Sequence, residues 1–133
     1  MEVVDFNMKY YQYIYSVLKG TGMKDNDMAV LRLDTKVLID EDKPVGFFTG
    51  EKINEYFNLH HFYIEPESRG FEAIWKLVPY MIKYMKNLGC KFLCMHAVVG
   101  TDTNDFIKSY FRNNKIEMLN SPVIDVEFYK VEV

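Results

Sequence analysis

A chain of 133 residues that is 49% hydrophobic and 16% aromatic has the length of one domain and enough apolar side chains to bury a core without disulfides or a structural metal. Its formal charge of -3, with lysines interleaved among acidic residues and no basic tract, argues against a nucleic-acid protein, and no apolar run approaches the ~20 residues needed to span a bilayer. Cys90 and Cys94, four apart with no others, match no zinc framework and read as reduced, buried thiols; with no charged-then-apolar leader, the cytoplasm is the expected compartment.

Residues 8–18 predict the first helix. Tyr10, Ile14, Val17 and Leu18 form its apolar stripe, Tyr11 and Tyr15 lie beside it as packing residues, and Asp5 or Asn7 stands where an N-cap belongs. Gly20-Thr21-Gly22 ends it. Residues 23–33 are ambiguous, with Asn26 or Asp27 available to cap a short second helix carrying Met28 and Leu31. Lys36-Val37-Leu38-Ile39-Asp40 is a strand by its β-branched content, and Glu41-Asp42-Lys43-Pro44 is a polar turn that leads into an antiparallel partner, Val45-Gly46-Phe47-Phe48. The acidic residues at this turn read as solvated, because a hard cation needs several convergent oxygens and not merely adjacent ones. Residues 49–56 read as a connection; its Glu51 and Glu55, like Glu65 and Glu67 further on, could each bind a cationic substrate, with a solvated loop carboxylate the common case.

The aromatic and β-branched run at 57–64 is a central strand, broken by the turn formers of Glu65-Pro66-Glu67-Ser68-Arg69-Gly70. The period then changes: Ile74, Leu77, Val78, Met81, Met85 and Leu88 recur at spacings of three and four, and Gly89 stands at the expected C-terminal stop. A helix start that follows an arginine-glycine turn offers unpaired amides and the positive end of its dipole, so phosphate or pyrophosphate is the natural ligand. Trp75 is expected in the core, and Pro79 predicts a kink near Tyr80. Residues 91–96 form a short buried strand, and strand, helix, strand in this order implies a right-handed parallel crossover. A helix over 104–112, capped by Thr101, Asp102 or Thr103, and two strands at 116–119 and 125–133 complete the chain.

This order of elements resembles the GNAT superfamily of acyl-CoA N-acyltransferases, and particular residues carry the likeness. Ile64-Glu65-Pro66-Glu67-Ser68-Arg69-Gly70 is similar to the family's hydrophobic-x-Pro-Glu-x-Arg-Gly stretch ahead of its main helix. Pro44-Val45-Gly46-Phe47 looks like its third-strand entry, and Asn104 with Ile107, Tyr110 and Phe111 looks like its last helix. The resemblance implies an α/β fold of the α+β kind: a twisted, mostly antiparallel mixed sheet with one parallel strand-helix-strand crossover and about four helices, splayed between its fourth and fifth strands to admit a pantetheine arm.

It further implies transfer of acetyl from acetyl-CoA to a primary amine, on a small molecule or a protein, by direct attack in a ternary complex. Arg69, Gly70, Phe71, Glu72 and Ala73 would line the pyrophosphate, Ile64 would pair its backbone with pantetheine, and Asn104 would hold its helix near the cofactor. A base must take a proton from the attacking ammonium, and histidine suits that work, so His61 or His96 is the candidate. Strict alternation sends His60 and His61 to opposite faces of the sheet, and nothing in the spacing of the three histidines enforces a metal site. Tyr110 is the candidate acid for the departing thiolate, although strict register with the family gives its neighbour Phe111, about 100° away on a helix. The family's two turn glycines are replaced by Glu72 and Ile74, with Ala73 between them, and Lys115-Ile116 replaces a terminal Gly-Phe. Those departures, together with tyrosines and methionines suited to recognition surfaces, support a second reading: an inactive GNAT-like fold used as a protein-binding module. A lysine-rich, alanine-poor composition of the kind an A/T-rich genome produces points to a low-GC bacterium or its phage, and such a module could be a phage-encoded factor acting on a host protein or a virion component.

Overall fold

Period-two patterning builds a seven-stranded sheet in the order β1-β2-β3-β4-β5-β7-β6. The computed structural model describes residues 1–20 and 33–133, with the side chain of Phe71 left aside. The strands are β1 (Glu2–Asp5), β2 (Asp34–Asp40), β3 (Lys43–Ile53), β4 (Tyr56–Ile64), β5 (Phe92–Val98), β6 (Ile116–Leu119) and β7 (Val126–Glu132). The β4–β5 pair is parallel, with a ladder from Tyr56↔Phe92 to Asn58↔Cys94. β1–β2, β2–β3, β5–β7 and β6–β7 are antiparallel. Among the described residues the helices are three, not about four: α1 (Tyr11–Gly20), α2 (Phe71–Asn87) and α3 (Asp102–Tyr110). The expected helix over Met28 and Leu31 falls outside the described residues, as does the Thr21-Gly22 stop.

The chain divides into two compact units, Met1–Glu51 with His60–Met81, and Lys52–Leu59 with Ile82–Val133. In the first, Tyr10, Ile14 and Leu18 pack on Val37 and Ile39 of β2 and Phe47 of β3, with Val4, Phe6, Tyr13, Val17 and Tyr63 around them. The stripe that marks α1 in the sequence is therefore its buried face. Asn7 is the cap, its side chain accepting from the Lys9 amide at 3.0 Å ahead of a 3-10 turn, Met8–Tyr10. Asp5 has another use: it ends β1 and pairs with Lys36 at 2.6 Å. In the second unit, Phe57 meets the edge of Tyr84, while Leu93, Met95 and Ala97 of β5 and Tyr129 and Val131 of β7 are buried. Gly89, at φ +89°, turns the chain out of α2, where the Cys90 amide reaches back to the Met85 carbonyl at 3.0 Å.

Several expectations are corrected. β1 was not foreseen: four residues with one Val-Val doublet carry little periodicity. Residues 49–53 are strand and not connection; Thr49 is fully buried and accepts a hydrogen bond from Thr35 across β2–β3 at 2.9 Å. The turn is confined to Asn54 and Glu55, with Asn54 at φ +56°. Trp75 is 53% exposed, because it stands two residues from both Ala73 and Leu77, about 200° around the helix from each. Cys90 is buried, whereas Cys94 is only half-buried, since it lies on the opposite face of β5 from Leu93 and Met95.

At Gly46 the facing backbone leaves no room for a side chain. A Cβ there would lie 2.7 Å from the Tyr63 carbonyl oxygen and 3.3 Å from the Ile64 Cα. Gly46→Ala is therefore expected to destabilise the protein by about 2 kcal/mol, the range for forced overpacking, read as a lowered urea midpoint with unchanged slope.

Candidate functional site

The first unit builds the turn that the sequence singles out. The Glu65 amide donates to the Val45 carbonyl at 2.8 Å, closing β4 onto β3, and Pro66–Ser68 then form a 3-10 turn. Within that turn the Ser68 amide donates to Glu65, Arg69 to Pro66 and Gly70 to Ser68, at 2.8, 3.3 and 2.7 Å. The first bond into α2 is from the Ile74 amide to the Gly70 carbonyl at 3.4 Å. The amides of Phe71, Glu72 and Ala73 precede it and have no intrahelical acceptor.

Arg69 is folded back over this turn. Its Nε donates to the Ile64 carbonyl at 2.7 Å, and its guanidinium carbon lies 5.6 Å from the centre of the Tyr63 ring. The Ile64 carbonyl is thus engaged within the turn itself, and the Ile64 side chain is buried. A Cβ on Gly70 would meet nothing within 4 Å, so the backbone there is open to approach. The Glu72 side chain is 66% exposed and lies 4.0 Å from the Met1 ammonium, while Ala73 is fully buried beneath the first turn. Beneath the turn, the Tyr63 hydroxyl donates to Glu65 at 3.3 Å. The Tyr13 hydroxyl is buried beside the Glu65 carboxylate, and burial, followed by that carboxylate, pushes its pKa up.

Further back on β4, His60 Nε2 lies 3.2 Å from Glu51 Oε1 on β3. Along β4 burial falls on Phe57 and Leu59 and then on Ile64, and the His60 and His61 imidazole rings stand 6.5 Å apart.

The second unit carries the other residues picked from the sequence. His96 is exposed on β5, its ring stacked on Phe128 at 5.3 Å. Thr101 caps α3, accepting from the Asn104 amide at 3.3 Å and donating to the Val98 carbonyl at 2.6 Å. The Asn104 side chain is buried and bonded to the Tyr129 hydroxyl, which also meets the Glu127 carboxylate; Lys108 Nζ stands 3.5 Å from Glu127. A phenol has one hydrogen. The satisfied arrangement has Tyr129 donate to Glu127 while the Asn104 amide, whose oxygen and nitrogen exchange by a flip, donates to the phenol oxygen. Tyr110 is half-buried between Phe106 and Phe111, at 5.4 and 4.8 Å, and burial raises its pKa; Phe111 itself is in the core.

Glu127 and Tyr129 carry no signal in the sequence, because a terminal strand shows only its alternation. Glu51 stands among the carboxylates able to bind a cation, but its pairing with His60 is hidden while the second half of β3 reads as loop. Among the described residues, no group of three or more His, Cys, Asp or Glu side chains is placed to hold a metal ion, and no helix is long and apolar enough to cross a membrane.

Burial, followed by the Glu127 carboxylate, pushes the Tyr129 phenol up to about 12 from an ordinary 10.0. In the unfolded chain this phenol ionises near its ordinary value while the native one keeps its proton, so stability is full below pH 10 and is lost as pH rises towards about 12. Tyr129→Phe is expected to flatten that alkaline loss in urea titrations between pH 9 and 12. At neutral pH it is expected to cost about 1–3 kcal/mol, because Asn104 is left buried without its partner.

The residues 4–111 match the acetyltransferase (GNAT) family. No curated protein gives a significant match. Solved structures with a similar fold include an acetyltransferase of the GNAT family from Staphylococcus aureus, 15% identical with a TM-score of 0.75 over 98% of both chains. PaiA N-acetyltransferase from Thermoplasma acidophilum in complex with coenzyme A is 12% identical, with a TM-score of 0.74 over 99% of this chain and 98% of that one. An aminoglycoside 6'-N-acetyltransferase complexed with coenzyme A is 18% identical, with a TM-score of 0.71 over 99% of this chain and 96% of that one. At such identities the structural likeness is one of fold. The family match, however, spans the hairpin, the arginine-glycine turn and α3, and by it the chain belongs to the acetyltransferase (GNAT) family.

Proposed function

We propose that the protein transfers acetyl from acetyl-CoA to a primary amine, on a small molecule or a protein, by direct attack in a ternary complex. The observation that carries this reading is the turn at the start of α2: a row of backbone amides without intrahelical acceptors, beside Arg69 and under an open approach at Gly70. Such a row suits a pyrophosphate. The exposed Glu72 carboxylate, near the Met1 ammonium, has room to turn away from it.

Acetyl-CoA, when bound, supplies the thioester carbonyl. In this reading Arg69, Gly70, Phe71, Glu72 and Ala73 hold the phosphates through their backbone, and the Arg69 charge adds attraction. Ile64 offers the β4 backbone to the pantetheine arm, with one side of its carbonyl already taken by Arg69. Asn104 acts through the position of α3, since its side chain is committed to Tyr129. His61 or His96 serves as base and Tyr110 as acid. The second reading, a GNAT-like fold without transfer that binds a protein partner, as a phage-encoded factor would, draws on Glu72 and Ile74 at positions where the family has glycine.

Isothermal titration with acetyl-CoA separates the two. Binding at micromolar Kd is expected, about tenfold weaker in Arg69→Ala, or roughly 1.4 kcal/mol. Gly70→Val is expected to keep its melting temperature, because its side chain enters open space, yet to lose binding. No heat, with no rise in melting temperature under saturating ligand, would discard the transferase reading in favour of the binding module.

A further inference from the structure

We infer that His60, held by Glu51, is the group that takes the proton from the attacking ammonium; the inference rests on the transferase reading and names a base that the sequence did not select. Four observations converge on it. The His60 Nε2 to Glu51 Oε1 distance of 3.2 Å is a hydrogen bond between neighbouring strands. Because a carboxylate can only accept, the ring hydrogen belongs on Nε2, which leaves the Nδ1 lone pair free to receive a proton. The two side chains are 35% and 43% exposed, so a solvated ammonium can reach them, and the Glu51 charge attracts a cation to the spot. Finally, His60 sits on β4, the strand that leads into the arginine-glycine turn. At ~3.3 Å per residue it lies about 13 Å before Ile64, a span suited to an extended acyl-bearing arm.

An exposed ion pair of this kind adds little to stability, so folding alone gives no account of it.

The step balances as follows. The ammonium gives one proton to His60 Nδ1, and the freed nitrogen lone pair forms the new C–N bond to the acetyl carbon. The C–S bond breaks with its electron pair on sulfur. The second proton lost from nitrogen goes to that thiolate, and His60 releases the first to solvent, leaving an amide and a free thiol.

The test uses the full chain with acetyl-CoA and three probe amines, spermidine, a lysine-bearing peptide and an aminoglycoside, and follows thiol release. His60→Ala is expected to lower kcat about 100-fold with the KM for acetyl-CoA within about twofold, and added imidazole is expected to restore part of the rate. Glu51→Gln is expected to lower kcat about tenfold. Full kcat in His60→Ala, or a loss that imidazole does not restore, overturns the inference. Where acetyl-CoA binds and no probe amine reacts, nitrogen NMR of the His60 ring decides: the Nε2–H tautomer supports the assignment and the Nδ1–H tautomer overturns it. Absence of acetyl-CoA binding is a different result, since it removes the transferase reading and this inference together.

Discussion

The first unit depends on how closely β3 and β4 approach at Val45 and Gly46. The Glu65 amide reaches the Val45 carbonyl at 2.8 Å, and the absence of a side chain at Gly46 lets the Tyr63 carbonyl and the Ile64 backbone close down on it. This contact sets where β4 stops being strand. Everything after it, the 3-10 turn at Pro66–Ser68 and the first turn of α2, takes its position from that end point. An Ala-sized intrusion would move the end of the strand and the turn with it, which is why a glycine with an ordinary backbone conformation is needed there for space and not for φ.

The second unit has a different kind of constraint, a buried polar chain. Asn104, Tyr129 and Glu127 join α3 to β7 through side chains alone, and Lys108 balances the carboxylate from the next turn of the same helix. Buried polar groups of this kind contribute specificity of placement, because any other seating of α3 would leave Asn104 without a partner. The helix that presents Tyr110 is thereby fixed by a phenol and an amide, while Ile107 and Phe111 supply the apolar contact beneath it.

Much of the fold was legible in the sequence, for identifiable reasons. The stripes of α1 and α2, the β-branched content of β2 and the alternation of β7 are long or regular enough to show through. What was lost was lost where polar residues do structural work. Thr49 and Gly50 look like loop, yet Thr49 is buried in a hydroxyl pair with Thr35, and Gly50 pairs with Asp34. Reading that half-strand as connection also concealed Glu51 from His60, nine residues away across a hairpin whose turn was placed too early. Trp75 is a different case: its position two residues from Ala73 and Leu77 was available, and the habit of burying tryptophan overrode it. Of the candidate site, the turn at 65–70 was plain from its residues, whereas Asn104's partner and the pairing of Glu51 with His60 needed contacts between elements to be seen.

Arg69 bears on what the turn can do before any ligand arrives. With Nε bonded to the Ile64 carbonyl and the guanidinium over the Tyr63 ring, the side chain acts as a strut between the end of β4 and the loop that follows. Arginine's planar fork permits this, since one nitrogen can brace the backbone while the delocalised charge remains beside the turn. The ordering of the loop is accomplished during folding. An anion that docks on these amides meets a rigid receptor, and the conformational entropy that a floppy loop would surrender on association has already been given up.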